Sequence, residues 1–237
     1  MRKKMELVVL LLLIAGLAVL NKNLEQQVNS GKVKAEKNVV LIDAGHGGGD
    51  PGKVGVGDVL EKNLNLEIAK RVEKKLKKQK IKVIMTREED VMLAGEDSTG
   101  TKAADMKARV NLINEKMPQI AVSIHQNSYQ DPSVCGAQVF YYSESEDGKW
   151  AAQIMQESLL DVDADNKRQA KANNTYYLLR RTKVPTIIVE CGFLSNPQEA
   201  EKLCLEEYQD KIAEAICKGI KEYIQNGKEQ SQESDVS

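Results

Sequence analysis

Three short apolar runs constrain this chain most, because each ends on a residue able to do chemistry. Val39-Val40-Leu41-Ile42-Asp43-Ala44-Gly45 leads into His46 and the glycines Gly47, Gly48 and Gly49. Ile120-Ala121-Val122-Ser123-Ile124 leads into His125, and Thr186-Ile187-Ile188-Val189 into Glu190. Continuous runs rich in β-branched residues read as strands buried on both faces, the habit of parallel sheets. In open α/β sheets, ligands bind in the crevice outside the carboxyl ends of such strands. If the three strands run parallel, His46, His125 and Glu190 meet in one crevice.

The intervening sequence supplies helices. Glu61 opens one whose apolar stripe is Leu64, Ile68, Val72 and Leu76, four residues apart, with lysines crowding the last turns. Ile81 to Thr86 reads as a strand, and a polar loop follows through Ser98-Thr99-Gly100. Ala103 to Lys116 is a helix with Met106, Val110 and Ile113 inward, stopped at Met117-Pro118. Gln138 to Tyr142 is a strand rich in β-formers, Lys149 to Leu160 a helix, and 161–175 a polar surface loop near the site. Two helices, Pro197 to Cys204 and Glu207 to Gln225, close the domain, the second with Ile212, Ile216 and Ile220 inward. Strands alternating with helices predict an α/β fold: three layers, with a mostly parallel twisted sheet and helices on both faces. The expected boundaries are an export signal or anchor over 1–20, a linker over 21–37, a catalytic domain over 38–226 and a polar, disordered tail from Gly227 over 227–237.

The N-terminus differs from the rest. Met1-Arg2-Lys3-Lys4 is basic, and Leu7 to Leu20 is an apolar stretch of 14 residues. As a helix it spans about 21 Å, short of the roughly 30 Å hydrocarbon core, which favours an export signal. Ala15-Gly16-Leu17-Ala18 makes a poor cleavage site before Val19-Leu20, so an uncleaved anchor stays open. The basic end favours the cytoplasm and puts the domain outside. A formal net charge of −1 leaves no electrostatic footprint for nucleic acid. Cys135, Cys191, Cys204 and Cys217 form no C-x-x-C pair and read as buried free thiols, small hydrophobes rather than a zinc ribbon, with a disulfide left open in an exported protein.

The chain has just two histidines, and both stand at strand ends. A lone histidine there is usually a structural hydrogen-bonder; two in the same kind of position point to a metal. Catalytic zinc takes three protein ligands and keeps a fourth place for water. Glu61, at a helix N-terminus that favours its ionised form, is a candidate third ligand. It can equally be a capping residue, and Asp43, Asp50 and Asp58 compete. Glu190 ends a strand too apolar to carry a charge without purpose, and reads either as a salt-bridged core carboxylate or as a general acid/base. Gly47-Gly48-Gly49-Asp50-Pro51-Gly52 formally fits a dinucleotide loop, but Pro51 intrudes and no helix opens until about Glu61. No P-loop lysine follows, and H-E-x-x-H is absent.

With those residues in hand, the chain resembles the zinc-dependent N-acetylmuramoyl-L-alanine amidases of the Amidase_3 type. The matching stretches are Val40 to Gly48, Glu61 to Leu66, Thr86-Arg87, Ser123 to Ser128 and Val184 to Asn196, spread over residues 38 to 225. The resemblance implies one zinc ion held by His46, Glu61 and His125, Glu190 as catalytic acid/base, and Asn127 in a turn that touches substrate. Gln126 departs from the smaller or apolar residue many members carry, which bears on pocket shape. The implied reaction releases stem peptide from peptidoglycan by cutting the amide between N-acetylmuramic acid and L-alanine. A short anchor and a bare catalytic domain look most like the germination-specific members of the family, which act in the spore cortex. An activating protein partner is a further implication, with 161–175 a candidate contact. The rivals are a zinc carboxypeptidase using Arg87, Arg180 or Arg181 to hold a terminal carboxylate, and a wall-binding adaptor with a vestigial site.

Overall fold

The computed structural model describes residues 36–95 and 101–234. The expected export signal or anchor (1–20), residues 21–35 of the expected linker, residues 96–100 and the last three residues lie outside these. In chain order the elements are β1 (Glu36–Ala44), α1 (Glu61–Lys78), β2 (Lys82–Met85), α2 (Lys102–Lys116), β3 (Pro118–Asn127), β4 (Gln138–Tyr141), α3 (Glu146–Ser158), β5 (Lys171–Ala172), α4 (Tyr177–Arg181), β6 (Thr186–Phe193), α5 (Pro197–Leu203) and α6 (Glu206–Ser234). Among the described residues no helix is long and apolar enough to cross a membrane.

The six strands form one sheet in the order β2-β1-β3-β6-β4-β5. β2, β1, β3 and β6 run parallel, while β4 pairs antiparallel with β6 and parallel with β5. The mostly parallel α/β sheet expected from the apolar runs is therefore present, and β6 is buried along its whole length. Strand side chains alternate between two apolar layers. Val40, Ile42, Ile120, Val122, Ile124, Ile187 and Val189 pack with Leu64, Ile68, Val72 and Leu76 of α1 and with Ile212, Ile216 and Ile220 of α6. Each of these large side chains, fully buried, contributes roughly 1.5–3 kcal/mol. On the opposite face Leu41, Ala121 and Ile188 pack with Val110 and Ile113 of α2 and with Leu178 and Leu179 of α4.

The alternation also sorts the polar residues. Asp43, Ser123, His125 and Glu190 sit at odd steps from Ile42, Ile124 and Val189, so they share the α2/α4 face at the carboxyl ends of β1, β3 and β6. His125 and Glu190 are direct register partners across the β3–β6 ladder.

Several expectations need correcting. α6 continues through Gly227 to Ser234 instead of stopping there. The residues beyond, rich in Lys, Glu and Gln, have good helix propensity, and one glycine costs only about 1 kcal/mol. The stretch 161–175 contains the edge strand β5, whose pairing with β4 is invisible to periodicity because only two residues take part. It borders the sheet edge, where Asn166 Nδ2 donates to Ala137 O (2.8 Å) and Arg168 Nε to Cys135 O (2.6 Å). The residues that reach the cavity come after it, from Tyr176 to Leu178. Of the four free cysteines, Cys191 and Cys217 are buried as expected, but Cys135 and Cys204 are exposed.

Candidate metal centre

His46 lies two residues beyond Ala44, the last residue of β1, and its position is fixed by the loop around it. Every carbonyl from Ala44 to His46 is held by a buried side chain. Arg87 donates from Nε to Ala44 O (2.9 Å) and from Nη2 to Gly45 O (3.0 Å). Arg109 donates from Nη1 to Ala44 O (2.7 Å) and from Nη2 to His46 O (2.6 Å). Asn65 Nδ2 donates to Gly45 O (3.0 Å). This clamp matters because His46 has φ of 62°, a left-handed backbone that a non-glycine residue adopts at a cost on the order of 1–3 kcal/mol.

Gly45 is the glycine whose missing side chain makes the site. A Cβ there would lie 2.3 Å from the Cε1 and Nε2 atoms of His125, so only glycine lets that ring lie against the strand end. Gly52 does the same for the other wall. Its φ is +70°, and a Cβ would meet Glu61 Oε2 at 2.5 Å and His46 Cδ2 at 2.7 Å. The glycine-rich loop thus makes room for the chain's own site residues.

His46, Glu61 and His125 each offer a ligand atom, all within 4.8 Å of one another. The two rings meet edge to face with centroids 5.0 Å apart. Glu61 lies between them, its Oε2 3.2 Å from His46 Nε2 and its Oε1 2.9 Å from His125 Nδ1. Lys53 N donates to Glu61 Oε2 (2.8 Å), and Gln126 N (3.2 Å) and Asn65 Nδ2 (3.3 Å) donate to Oε1. Burial would raise the Glu61 pKa, but hydrogen bonds and charge from His125 and His46 outweigh it and hold the group below the usual carboxylate range. Two imidazoles and an ionised carboxylate are a donor set that suits a divalent metal with nitrogen and oxygen preferences.

Asp50 turns out to be a support. It accepts from His46 Nδ1 at 2.7 Å, which leaves Nε2 facing Glu61, the arrangement by which carboxylates fix the ring and tautomer of a metal-binding histidine. Lys102 Nζ lies 2.6 Å from Asp50 Oδ1. Asp43 is likewise engaged elsewhere, under Thr86, Ser123 and Arg109, and Asp58 is exposed in a single turn of 3₁₀ helix over Val56–Asp58.

Glu190 is 7% exposed, and its Oε2 is buried without a hydrogen-bond partner among the described residues. Burial pushes its pKa up to about 7, with the neighbouring Glu61 adding and the two histidines opposing. It lines the same cavity of about 360 Å³ as His46, Glu61 and His125. Lys53 and Lys102 line that cavity, and Met106, Leu178 and Ile188 give it apolar surface. Asn127 lines it too, its Oδ1 taken by Ser128 N (2.8 Å). Gln126 is 2% exposed, and its side chain turns to Asn65 Oδ1 (3.2 Å). It also lines the cavity, the place where the resemblance expects it to bear on pocket shape.

Arg109 and Asp105 escaped sequence reasoning. Arg109 is 1% exposed and ion-paired to both Asp43 and Asp105. The available signal was Asp105, Arg109 and Ile113 at four-residue spacing, an acid and a base on an inward stripe.

The fold and site together define an α/β protein with a candidate two-histidine, one-carboxylate metal centre at its strand ends and a protonatable glutamate beside it. The family model described as N-acetylmuramoyl-L-alanine amidase matches residues 40–222, and the chain belongs to that family. It is an amidase whose substrate is peptidoglycan. The germination-specific N-acetylmuramoyl-L-alanine amidase of Bacillus subtilis is 41% identical over 189 residues, covering 78% of this chain and 79% of the relative. The CwlD amidase from Clostridioides difficile, solved in complex with the GerS lipoprotein, superposes with a TM-score of 0.76 at 36% identity, covering 79% of this chain and 98% of that one. The catalytic domain of CwlV from Bacillus (Paenibacillus) polymyxa var. colistinus gives a TM-score of 0.70 at 31% identity, covering 80% and 99%.

Proposed function

We propose that the amidase works with one zinc ion held by His46, Glu61 and His125, with Glu190 as its general base and acid. The observation that carries this is the meeting of the three ligand atoms within 4.8 Å beside a buried glutamate that has an oxygen to spare. Zinc, when bound, supplies a Lewis acid that lowers the pKa of water to about 7 and polarises a carbonyl. Glu190 takes a proton from the attacking water and delivers it to the leaving nitrogen of L-alanine. A pKa near 7 lets one carboxyl group do both. Glu61 contributes charge and Asp50 orients His46, while Asn127 contacts the substrate from the end of β3. The glycan strand with its stem peptide occupies the cavity lined by Lys53, Lys102 and the apolar Met106, Leu178 and Ile188.

The carboxypeptidase reading loses its anchor. Arg87 is spent on backbone carbonyls, Arg109 on Asp43, Asp105 and two carbonyls, and Arg180 and Arg181 are exposed on α4. A guanidinium free to grip a terminal carboxylate does not line the cavity among the described residues.

We further infer a role in the spore cortex, as the first step towards muramic δ-lactam, on the strength of the 41% identical germination-specific relative. The enzyme works outside the cytoplasmic membrane, delivered or anchored by its N-terminal segment. It has a protein partner, as the relative solved with a lipoprotein does. The test is to incubate purified protein with intact wall and with stem-peptide-free wall, with and without chelator. New L-alanine amino termini that vanish with chelator are expected; free terminal amino acids would overturn the amidase chemistry. His125→Ala should lose both zinc and hydrolysis, and zinc retained undiminished there would contradict the ligand assignment.

A further inference from the structure

We propose that Asn65 and Gln126 form a buried amide relay that positions the metal-binding carboxylate, and that Gln126 acts through Asn65. The proposal rests on the reading of His46, Glu61 and His125 as metal ligands. Asn65 is fully buried on α1, one turn beyond Glu61. Its Nδ2 has two hydrogens, and both are engaged, one on Gly45 O (3.0 Å) and one on Glu61 Oε1 (3.3 Å). One side chain therefore ties the loop that carries His46 to the helix that carries Glu61.

An asparagine amide can turn over and exchange its oxygen for its nitrogen. Turned over here, it would aim an oxygen at both the Glu61 carboxylate and the Gly45 carbonyl. Those two acceptors oppose that orientation, and Gln126 Nε2, donating to Asn65 Oδ1 (3.2 Å), reinforces them, because a turned Asn65 would also meet this donor with a donor. Gln126 is also the neighbour of His125, and its own backbone N–H donates to Glu61 Oε1 (3.2 Å). The relay thus links all three ligand-bearing segments.

The far end of Gln126 argues that the fold alone does not account for it. Its Oε1 is buried with no hydrogen-bond partner among the described residues. A buried acceptor without a donor is destabilising, and an apolar side chain of similar length would remove this one while leaving Asn65 Oδ1 without its donor, so for the fold the two costs offset. What the glutamine supplies in exchange is the orientation of Asn65. This gives the relay an unusual signature: removing Gln126 weakens metal binding without weakening the metal-free fold.

The experiment measures zinc affinity, by competition with a chromophoric chelator, and thermal unfolding of the metal-free protein. It uses the full-length chain and its Gln126→Met, Gln126→Leu, Asn65→Leu and Gln126→Met/Asn65→Leu variants. Partners of metal ligands are worth roughly 10–100-fold in affinity. Both Gln126 variants should bind zinc about tenfold more weakly, with a metal-free midpoint close to that of the unaltered chain, since each exchanges one buried orphan acceptor for another. Asn65→Leu should lose at least as much, and the double variant no more than Asn65→Leu alone. Zinc affinity within about twofold of the unaltered chain in both Gln126 variants would overturn the proposal. So would a midpoint that falls in step with affinity, or losses that add in the double variant. If Asn65→Leu does not fold, the two Gln126 variants decide. An unaltered chain that binds no zinc would bring down the metal centre itself, a result distinct from any of these.

Discussion

Asp43 and Glu190 are both buried carboxylates on one face of one sheet, at the carboxyl ends of strands separated only by β3. Asp43 is surrounded by donors. Thr86 Oγ1 (2.7 Å) and Arg109 reach Oδ1, and Ser123 Oγ (2.5 Å) reaches Oδ2. Burial would raise its pKa, but the Arg109 charge and the hydroxyls win and bring it to about 2. Glu190 has the burial without the donors and stands near 7. The lesson is that donors, rather than depth, decide whether a buried acid is a fixed anion or a proton carrier. Asp43 fastens β1, β2, β3 and α2 beneath the site, while Glu190 keeps a lone pair for chemistry.

The sharpest way to break this contrast is to remove each carboxylate in turn. Glu190→Ala should lower turnover by roughly 10²–10⁴-fold, the range for a positioned acid/base, while bound zinc measured by elemental analysis stays near one per chain. Loss of zinc in that variant would make Glu190 a ligand. Asp43→Ala should instead act on stability, by about 1–3 kcal/mol in denaturant titration, since it leaves the buried Arg109 with Asp105 as its remaining ion-pair partner and takes the acceptor from the Thr86 and Ser123 hydroxyls. A loss below about 1 kcal/mol would show that the anion is dispensable.

Effects of comparable size sharpen the comparison through pH, and their signs differ. A raised acid pKa means the folded state holds its proton longer than the unfolded chain, so ionisation of Glu190 costs stability as pH climbs from its unfolded value of 4.5 towards about 7. Glu190→Gln should therefore stabilise the metal-free protein on the order of 3 kcal/mol at pH 8 and hardly at pH 4. An equal gain at both values would contradict the raised pKa. A depressed pKa runs the other way. Asp43 contributes stability that is complete above its unfolded value of 3.8 and is lost as pH falls through about 2. Its share is on the order of 2 kcal/mol, and acid unfolding of Asp43→Asn should lack that portion.

The regular elements were legible because periodicity survives burial. Leu64, Ile68, Val72 and Leu76 lie on the inward stripe their spacing predicts, and the runs before His46, His125 and Glu190 are parallel strands. Less legible was anything depending on a distant partner. β5 exists only through β4, and α4 is five residues long. The role of Asp50 could not be told from spacing, because a ligand and a support for a ligand are the same residue type at the same distance along the chain.

The sequence by itself determined the α/β class, the apolar runs of three parallel strands and the pair of histidines, because hydrophobic period and residue scarcity are local properties; β3 and β6 continue past His125 and Glu190 to Asn127 and Phe193. Tertiary structure alone decided which carboxylates are anions, which amide faces which, and that Arg109 holds the strained His46 carbonyl. Those outcomes depend on hydrogen-bond donors drawn from helices and strands far apart in the chain. Protonation and orientation at such sites are set by neighbours in space, whose identity periodicity does not encode.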